Sequence, residues 1–203
     1  MLEAKDLACE RGGVRLFTGL GFSVGAGALL RVKGPNGSGK TSLLRTLAGL
    51  SRPASGSIRW RDRERGDDFR REMLFIGHAA GLSEDLTVLE NLNFALELSG
   101  AKRPLEKTKA ALELFGLERV ARMPARFLSQ GQRRRAALAR LALSAEVPLW
   151  LLDEPFAALD AEALEQLSRL ATAHLARGGL VVLTSHQEVA IAAPATETVV
   201  LQA

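Results

Sequence analysis

One stretch of eight residues, GPNGSGKT at positions 34–41, restricts the possible folds of this chain more than any other. It has the spacing G-x-x-x-x-G-K-[ST], and it lies between an apolar run, ALLRVKG, and a helical pattern, KTSLLRTLAGL. Glycines at these positions let the backbone wrap so closely that successive N–H groups point at a phosphate. The stretch therefore predicts a phosphate-binding loop between a strand and a helix; the alternative is a flexible glycine turn.

Within this loop, each residue type has an expected task. Lys40 would place a positive charge at the β/γ bridge of a nucleotide, and the Thr41 hydroxyl would hold Mg²⁺. Ser42 would lie at the helix start beside the phosphates. The residues expected to bind the nucleotide are Gly34, Pro35, Asn36, Gly37, Ser38, Gly39, Lys40, Thr41 and Ser42.

Strand and helix patterns alternate at both ends of the chain. The runs VPLWLLDEP, at 147–155, and LVVLTSH, at 180–186, are continuous apolar strands of the kind buried on both faces of a parallel sheet. Shorter apolar runs at 2–9, 16–24 and 73–77 also read as strands. This alternation predicts an α/β fold with a mainly parallel core sheet, helices on both faces and a small antiparallel sheet from the first strands.

The middle of the chain, about residues 84–145, has the pattern of a helical insertion. Thr87 and Glu90 predict a capping box where it begins. Pro104 is expected to open a second helix and Gly116 to end it, and Asp160 can cap a later one. We therefore expect a single domain over residues 1–203, with the helical subdomain inserted in it.

Composition excludes several other classes of protein. The 203 residues, 47% of them hydrophobic and 25% charged, are typical of a globular domain. No apolar run reaches the roughly 20 residues of a membrane-spanning helix, and acidic residues interrupt the first twenty positions where a signal peptide would lie. We therefore expect a cytoplasmic location. Cys9 is the only cysteine, which excludes an intrachain disulfide and a cysteine zinc site.

A net charge of +4 raises the question of an acidic partner. In the stretch RWRDRER, residues 59–65, arginines alternate with acidic and aromatic residues, and no nucleic-acid-binding motif is present. An acidic membrane surface or partner subunit would explain the excess equally well. We expect no direct binding to nucleic acid.

Two adjacent carboxylates, Asp153 and Glu154, follow the apolar run LWLL. Ligands of open α/β sheets bind at the carboxyl edge of the strands, which is where these side chains are expected. Asp153 is placed to hold Mg²⁺ or its water, and Glu154 is free to act as the base that polarises an attacking water. Together with the phosphate loop they predict a nucleotide hydrolase; the alternative is a solvated turn.

The segment FLSQGQRRRAALARLAL, residues 127–143, begins a helix in an unusual way. Ser129 and Gln132 predict a capping box, but three arginines follow in the first turn, where positive charge opposes the helix dipole. Two interpretations are open on these residues alone. The helix is capped and its arginines form a solvated face, or its start meets an anion.

The stretch LSQGQ, residues 128–132, resembles the signature L-S-G-G-Q of ATP-binding-cassette (ABC) proteins, and it precedes the Asp-Glu strand as it does in that family. FAALD, at 156–160, stands where the family has its D-loop, and TSH ends at His186, where the family has its switch histidine. The resemblance covers essentially the whole chain. It implies a P-loop NTPase of the ABC type that hydrolyses ATP with Mg²⁺, and a helical signature subdomain.

The resemblance also implies a sandwich dimer. Ser129, Gly131 and Gln132 of one copy would close over ATP held by the phosphate loop of the second copy. His186 would contact the γ-phosphate and act in catalysis with Glu154 and Lys40. Asp160 would connect the two sites across the interface.

Three residues depart from the family pattern. Gln130 replaces the first glycine of the signature. His78 stands where most relatives have the Q-loop glutamine, and its imidazole can ligate the metal or hydrogen-bond in that place. Arg11 occupies the position of the aromatic residue that stacks on adenine, where a guanidinium plane can also stack.

These departures, with IGHAAGL followed by LTVLENL, resemble one branch of the family: the ATP-binding subunits of the cytochrome c maturation haem exporter. That resemblance implies haem export or release of a haem chaperone, integral membrane permease subunits as partners, and a peripheral location on the cytoplasmic face of the inner membrane. Alternative functions are the ATPase of another small exporter, a soluble ABC ATPase acting on nucleic acid or ribosomes, and a nucleotide-gated clamp with little turnover.

Overall fold

A computed structural model of the chain describes residues 1–98 and 105–202. The strands are β1 (Leu2–Arg11), β2 (Val14–Val24), β3 (Ala28–Lys33), β4 (Ser55–Trp60), β5 (Arg63–Glu64), β6 (Met73–Ile76), β7 (Leu149–Asp153), β8 (Leu180–Thr184) and β9 (Ala195–Val200). The α-helices are α1 (Lys40–Leu47), α2 (Val88–Leu98), α3 (Leu105–Leu114), α4 (Gln130–Leu143) and α5 (Ala161–Ala176). Short 3-10 helices occupy Asp67–Arg71, Glu118–Val120 and Ala125–Phe127.

The described residues form two compact units. One unit spans residues 1–78, 147–155 and 171–203, and the other spans residues 79–146 and 156–170. We refer to them as the first and the second unit. In the part of the chain that the structure describes, no helix has both the length and the apolar character needed to span a membrane.

A five-stranded sheet with the order β6-β7-β8-β3-β9 forms the centre of the first unit. All of its neighbouring strands pair in parallel, and every residue of β7 and β8 is buried. The prediction of a parallel core sheet is confirmed. Because β3, β7 and β8 are neighbours and run in the same direction, the loops that follow them meet at one edge of the sheet.

An antiparallel sheet with the order β2-β1-β4-β5 completes the first unit. The sequence predicted its first two strands but not β4 and β5. β4 buries only Ile58 and Trp60, so its apolar alternation is too short to stand out, and β5 has only two residues. β4 forms a strand because it pairs with β1; its own composition does not specify one.

The apolar core of the first unit lies around α1. Leu43, Leu44 and Leu47 on one face of this helix are fully buried and belong to the same cluster as Leu30 and Val32 of β3. Burial of each such leucine contributes about 1.5–3 kcal/mol. The phosphate loop is therefore fixed at both ends, by a central strand before it and by a buried helix after it.

Short-range hydrogen bonds fix helix ends in both units. Gly49 ends α1, because the N–H of Gly49 donates to the Thr46 carbonyl (3.1 Å) and that of Leu50 to the Arg45 carbonyl (2.9 Å). In the second unit, the N–H of Thr87 donates to the Glu90 carboxylate at 2.8 Å, which confirms the capping box. The expected helix start at Pro104 lies outside the described residues.

Two further predicted helix boundaries in the second unit are also present. α3 ends just before Gly116, where the N–H of Leu117 donates to the Leu112 carbonyl at 2.9 Å. Asp160 caps α5, because its Oδ1 accepts a hydrogen bond of 2.9 Å from the N–H of Ala163. Both features fix the position of loops on either side of α4 in the sequence.

Candidate active site

The phosphate loop follows β3 and ends at the N-cap of α1. The N-cap residue Gly39 has a φ of 95°, and no side chain caps this helix start. The first N–H groups of an α-helix have no partner inside the helix, and the helix dipole is positive at that end. The start of α1 therefore has the chemistry of a phosphate site, and phosphate binding there stays a prediction.

Two glycines in the loop are required by close backbone approaches. A Cβ at Gly34 would lie 2.6 Å from the Leu201 carbonyl oxygen and the same distance from Ser38 Oγ. A Cβ at Gly39 would lie 3.0 Å from the Cβ of Leu16, and Gly39 also has the left-handed φ that favours glycine. Leu16 and its neighbour Phe17 on β2 thus border the loop, which the sequence did not predict.

Lys40 lies inside the curve of the loop. Its side chain is buried, and Nζ donates to the carbonyl oxygens of Gly34 (2.8 Å) and Pro35 (3.0 Å). Both partners are neutral, so they orient the ammonium group without neutralising it. Ser38 is also buried, and among the described residues its Oγ has no hydrogen-bond partner. A phosphate oxygen would satisfy both groups.

Asp153 and Glu154 stand at the carboxyl end of β7, and a threonine at the end of β8 binds both. Thr184 Oγ1 donates to Asp153 Oδ1 at 2.8 Å and accepts the Glu154 N–H at 2.9 Å. Asp153 is 1% exposed. Thr184 was not predicted from the sequence, although a polar residue that ends a buried apolar strand two positions before a candidate catalytic residue is a usable signal.

Glu154 and His186 are brought together at this edge. His186 Nε2 lies 3.4 Å from Glu154 Oε1, and the backbone N–H of His186 donates to Glu154 Oε2 at 3.3 Å. Glu154 also has a φ of 48°, a conformation uncommon outside glycine that is concentrated at functional sites. Since the Glu154 side chain is 21% exposed, water can reach its carboxylate.

The three candidate metal ligands have different positions. Thr41 lies in the first turn of α1, and Asp153 ends β7. β6 pairs with β7 so that Ile76 is opposite Leu152, which places His78 two residues beyond that pair at the same edge. Among the described residues, no group of three or more His, Cys, Asp or Glu side chains could hold a metal. Mg²⁺ usually takes one or two carboxylates together with phosphate oxygens and water, so Thr41 and Asp153 fit it.

Arg11 is the last residue of β1, and its side chain is exposed. It pairs with Val14 across the β1–β2 hairpin, the same hairpin whose Leu16 and Phe17 border the phosphate loop. Its stacking on adenine stays a prediction.

The signature segment belongs to the second unit. Ser129 is the N-cap of α4; its Oγ accepts the Gln132 N–H at 3.2 Å, and Gln132 Oε1 accepts the Ser129 N–H at 2.9 Å. The predicted capping box is confirmed. A Cβ at Gly131 would lie 3.3 Å from the Ala158 carbonyl oxygen, so the D-loop segment lies against this helix start.

The arginines after the signature do not form a solvated face, and that interpretation is wrong. Arg133 donates to the carbonyl oxygens of Leu128 (3.3 Å) and Arg126 (2.9 Å) and to Glu84 Oε1 (3.1 Å). Arg134 is buried, at 6% exposure.

Arg135 also has an acidic neighbour, because its Nη1 lies 3.6 Å from Asp160 Oδ2. Arg133 therefore fixes the segment that precedes the signature, and Arg135 fixes the segment that contains Asp160.

Known proteins similar to this chain agree with these features. The family model described as ABC transporter matches residues 17–157. The cytochrome c biogenesis ATP-binding export protein CcmA of Aromatoleum aromaticum is 50% identical over 199 residues, which are 97% of this chain and 93% of that protein. The protein of the same name from Pseudomonas aeruginosa is 48% identical over 194 residues, 94% of this chain and 95% of that protein.

A solved structure has the same fold. It is the dimeric ATP-binding cassette MJ0796 in a post-hydrolysis state bound to ADP and Pi. Its TM-score is 0.80 at 28% identity, over 92% of this chain and 88% of that chain. This likeness confirms the predicted fold class.

Proposed function

Because this chain belongs to the ABC transporter family, we propose that it is the ATP-hydrolysing subunit of an exporter that serves cytochrome c biogenesis. The observation that carries the hydrolytic part is the arrangement at the carboxyl edge of the core sheet. The phosphate loop follows β3, and its Lys40 side chain points to the loop backbone. Glu154 follows β7 and His186 follows β8, and these two side chains are in contact. The export part is supported by the 50% identity to an ATP-binding export protein.

In this proposal the phosphate loop binds ATP. The N–H groups at the start of α1 and the Lys40 ammonium group hold the phosphate oxygens, and the Ser38 hydroxyl supplies one more hydrogen bond. Thr41 and Asp153 would hold Mg²⁺, with His78 as a further ligand. When bound, this ion neutralises charge on the phosphates.

Glu154 is the general base of the proposed reaction. Its carboxylate takes a proton from the water that attacks the γ-phosphorus, so that the new P–O bond forms as the bond to the β-phosphate oxygen breaks. His186 contacts the γ-phosphate and orients Glu154, with which it already shares two close contacts. Thr184 orients the Glu154 backbone by accepting its N–H.

We propose that the active form contains two copies of this chain. The signature tip, by which we mean Ser129, Gly131 and Gln132, would close over ATP bound to the phosphate loop of the second copy. This step is supported by the dimer of the similar cassette MJ0796 and by the capping box that fixes the tip. Exclusion of water on closure would strengthen the electrostatic contacts to the phosphates.

The proposed partners are integral membrane permease subunits, and the proposed location is the cytoplasmic face of the inner membrane. Relatives named for export in cytochrome c biogenesis support this proposal. Haem becomes covalently attached to c-type cytochromes at a C-x-x-C-H motif, so we propose haem, or a haem chaperone awaiting release, as the species that ATP hydrolysis serves.

Cells that lack the chromosomal copy of this gene test the proposal. Wild-type chain should co-purify from membranes with permease subunits, hydrolyse ATP and restore covalent haem in c-type cytochromes. Glu154→Gln should co-purify equally well and restore neither hydrolysis nor haem attachment. Glu106→Gln, a change of the same chemistry at an exposed residue of α3, should behave as wild type. Recovery of wild-type chain without any membrane subunit would contradict the export role.

A further inference from the structure

Two basic side chains on β3 reach the loop that carries His186. Arg31 Nη2 donates to the Val189 carbonyl oxygen at 2.7 Å, and Lys33 Nζ donates to Glu188 Oε1 at 2.8 Å. Arg31 and Lys33 are two positions apart on the strand, so both side chains lie on the same face of the sheet. They therefore contact adjacent residues of one loop, just beyond His186.

The other side of the same loop is also fixed. The Ser185 hydroxyl donates to the Gln187 carbonyl oxygen at 2.8 Å and accepts the Gln187 N–H at 2.9 Å, which forms a tight turn around His186. The His186 N–H donates to Glu154. His186 is thus bound to Glu154 through its own N–H, and the residues two and three positions after it are bound by the two cations of β3.

Packing of the core does not explain these cations. Leu30 and Val32 of β3 are fully buried on the face that meets α1, whereas Arg31 and Lys33 interrupt the apolar pattern on the opposite face. A central parallel strand usually consists of apolar residues on both faces, and a half-buried guanidinium group needs a hydrogen-bond acceptor. The acceptor for Arg31 is the backbone of the His186 loop.

We propose that Arg31 and Lys33 are positioning residues for His186. Lys33 directly precedes Gly34, so one strand would align both the phosphate loop and the histidine that contacts the γ-phosphate. A cleft of about 220 Å³ lined by Arg31, Lys33, Gly34, His186 and Glu188 runs beside these contacts. This inference rests on the proposed function, because that proposal assigns the γ-phosphate contact to His186.

The two contacts differ in expected strength. Lys33 and Glu188 are 44% and 87% exposed, and solvent-exposed ion pairs are weak. The hydrogen bond and charge of Lys33 lower the pKa of Glu188, which favours the ionised carboxylate of this pair. Arg31 is half-buried and binds a backbone carbonyl, which makes its contact the stronger one.

Steady-state ATPase measurements on the full chain test the proposal. Lys33→Met and Glu188→Gln should each lower kcat about threefold, and Arg31→Met about tenfold, with an unchanged KM for ATP. Lys109→Met and Glu106→Gln, which remove an exposed ion pair of 3.2 Å in α3, are the matched controls and should leave kcat unchanged. A raised KM at unchanged kcat would overturn the proposal.

A double-mutant cycle separates positioning of His186 from a general loss of stability. If Lys33 acts through His186, Lys33→Met should lower kcat in the wild-type background and have no further effect in a His186→Ala background. Equal losses in both backgrounds would overturn the proposal. The charge exchange Lys33→Glu with Glu188→Lys should restore at least half of the lost kcat.

Hydrogen exchange of residues 186–189 gives a readout that does not depend on activity. These amides should exchange faster in Lys33→Met and Arg31→Met than in wild type, while melting temperatures stay within a few degrees. If Arg31→Met fails to fold, Arg31→Lys takes its place. Unchanged exchange would overturn the positioning role, whereas absence of ATP hydrolysis by wild-type chain would overturn the proposed function instead.

Discussion

The carboxyl edge of the core sheet and the start of α4 hold their functional residues by different means. At the sheet edge, Asp153 is buried and receives a hydrogen bond from Thr184, and the strands beneath them are fully buried. At the start of α4, the signature tip depends on a capping box and on Arg133, whose partner Glu84 is 68% exposed. Added salt weakens exposed ion pairs by screening their charges, whereas it changes the strength of buried hydrogen bonds much less.

This difference indicates that the two regions have different roles. Hydrogen bonds between residues at strand ends keep the catalytic groups in one geometry, because the reaction requires correctly oriented groups. The signature tip, on the proposed function, must approach and leave a second copy in every cycle. Contacts that are individually weak suit a segment that forms and breaks an interface.

The largest effect is expected from Lys40→Ala, which removes the positive charge from the phosphate loop at the carboxyl edge of the core sheet. ATP affinity should fall by at least about a hundredfold, because charge-assisted hydrogen bonds to phosphate are lost. Equilibrium binding of radiolabelled ATP measures this, with Lys109→Ala as the control. Wild-type affinity in Lys40→Ala would show that the loop does not hold the phosphates.

Thr184→Val is expected to damage both the stability and the chemistry of the sheet edge. Asp153 Oδ1 would lose its donor and the Glu154 N–H its acceptor, at a cost of about 1–3 kcal/mol in the free energy of unfolding. Denaturant unfolding and kcat are measured together. Thr198→Val, at an exposed position of β9, is the control and should change neither quantity.

A smaller effect is expected from Arg133→Met in the second unit. The carbonyls of Arg126 and Leu128 would lose a donor, and the signature tip would be less well fixed. We expect kcat to fall about fivefold, with the loss growing at low protein concentration, where association of two copies limits turnover. Arg119→Met, at an exposed arginine of the same unit, is the control; a fall of kcat that is independent of concentration would argue against a role in association.

The smallest effect concerns Glu90 in the capping box of α2. Hydrogen bonds from the Thr87 backbone and side chain lower the pKa of Glu90. A carboxyl group with a lowered pKa contributes stability above its unfolded-state pKa, and that contribution is lost as the pH falls through the folded-state value. The difference in melting temperature between wild type and Glu90→Gln should therefore be present at pH 7 and shrink as the pH falls below the ordinary glutamate pKa of about 4.3. A constant difference would contradict this.

Much of the architecture could be predicted from local patterns. The phosphate loop, the Asp-Glu strand and the capping box of α4 are encoded within a few residues, and each is present where the sequence placed it. Strand β4 was missed because its pairing with β1 joins residues 47 to 58 positions apart. Its order comes from that partner, and a local pattern cannot show this.

The contacts that orient the candidate catalytic residues were also hidden from the sequence. Thr184 lies about 30 positions from the two carboxylates that it binds, and Arg31 lies 158 positions from Val189. Parallel strands that are neighbours in space are separated by whole helices in the chain. The residues that do chemistry were therefore visible as motifs, whereas the residues that position them became visible only in the fold.

The central claim is that Glu154 acts as the general base of ATP hydrolysis, in a site closed by a second copy of the chain. Purified Glu154→Gln is incubated with radiolabelled ATP and Mg²⁺, and its mass is measured by light scattering together with the nucleotide retained. We expect a stable dimer that holds two unhydrolysed ATP molecules, while wild type returns to monomer as phosphate is released. A Glu154→Gln chain that stays monomeric in saturating ATP, or that releases phosphate at the wild-type rate, would contradict it.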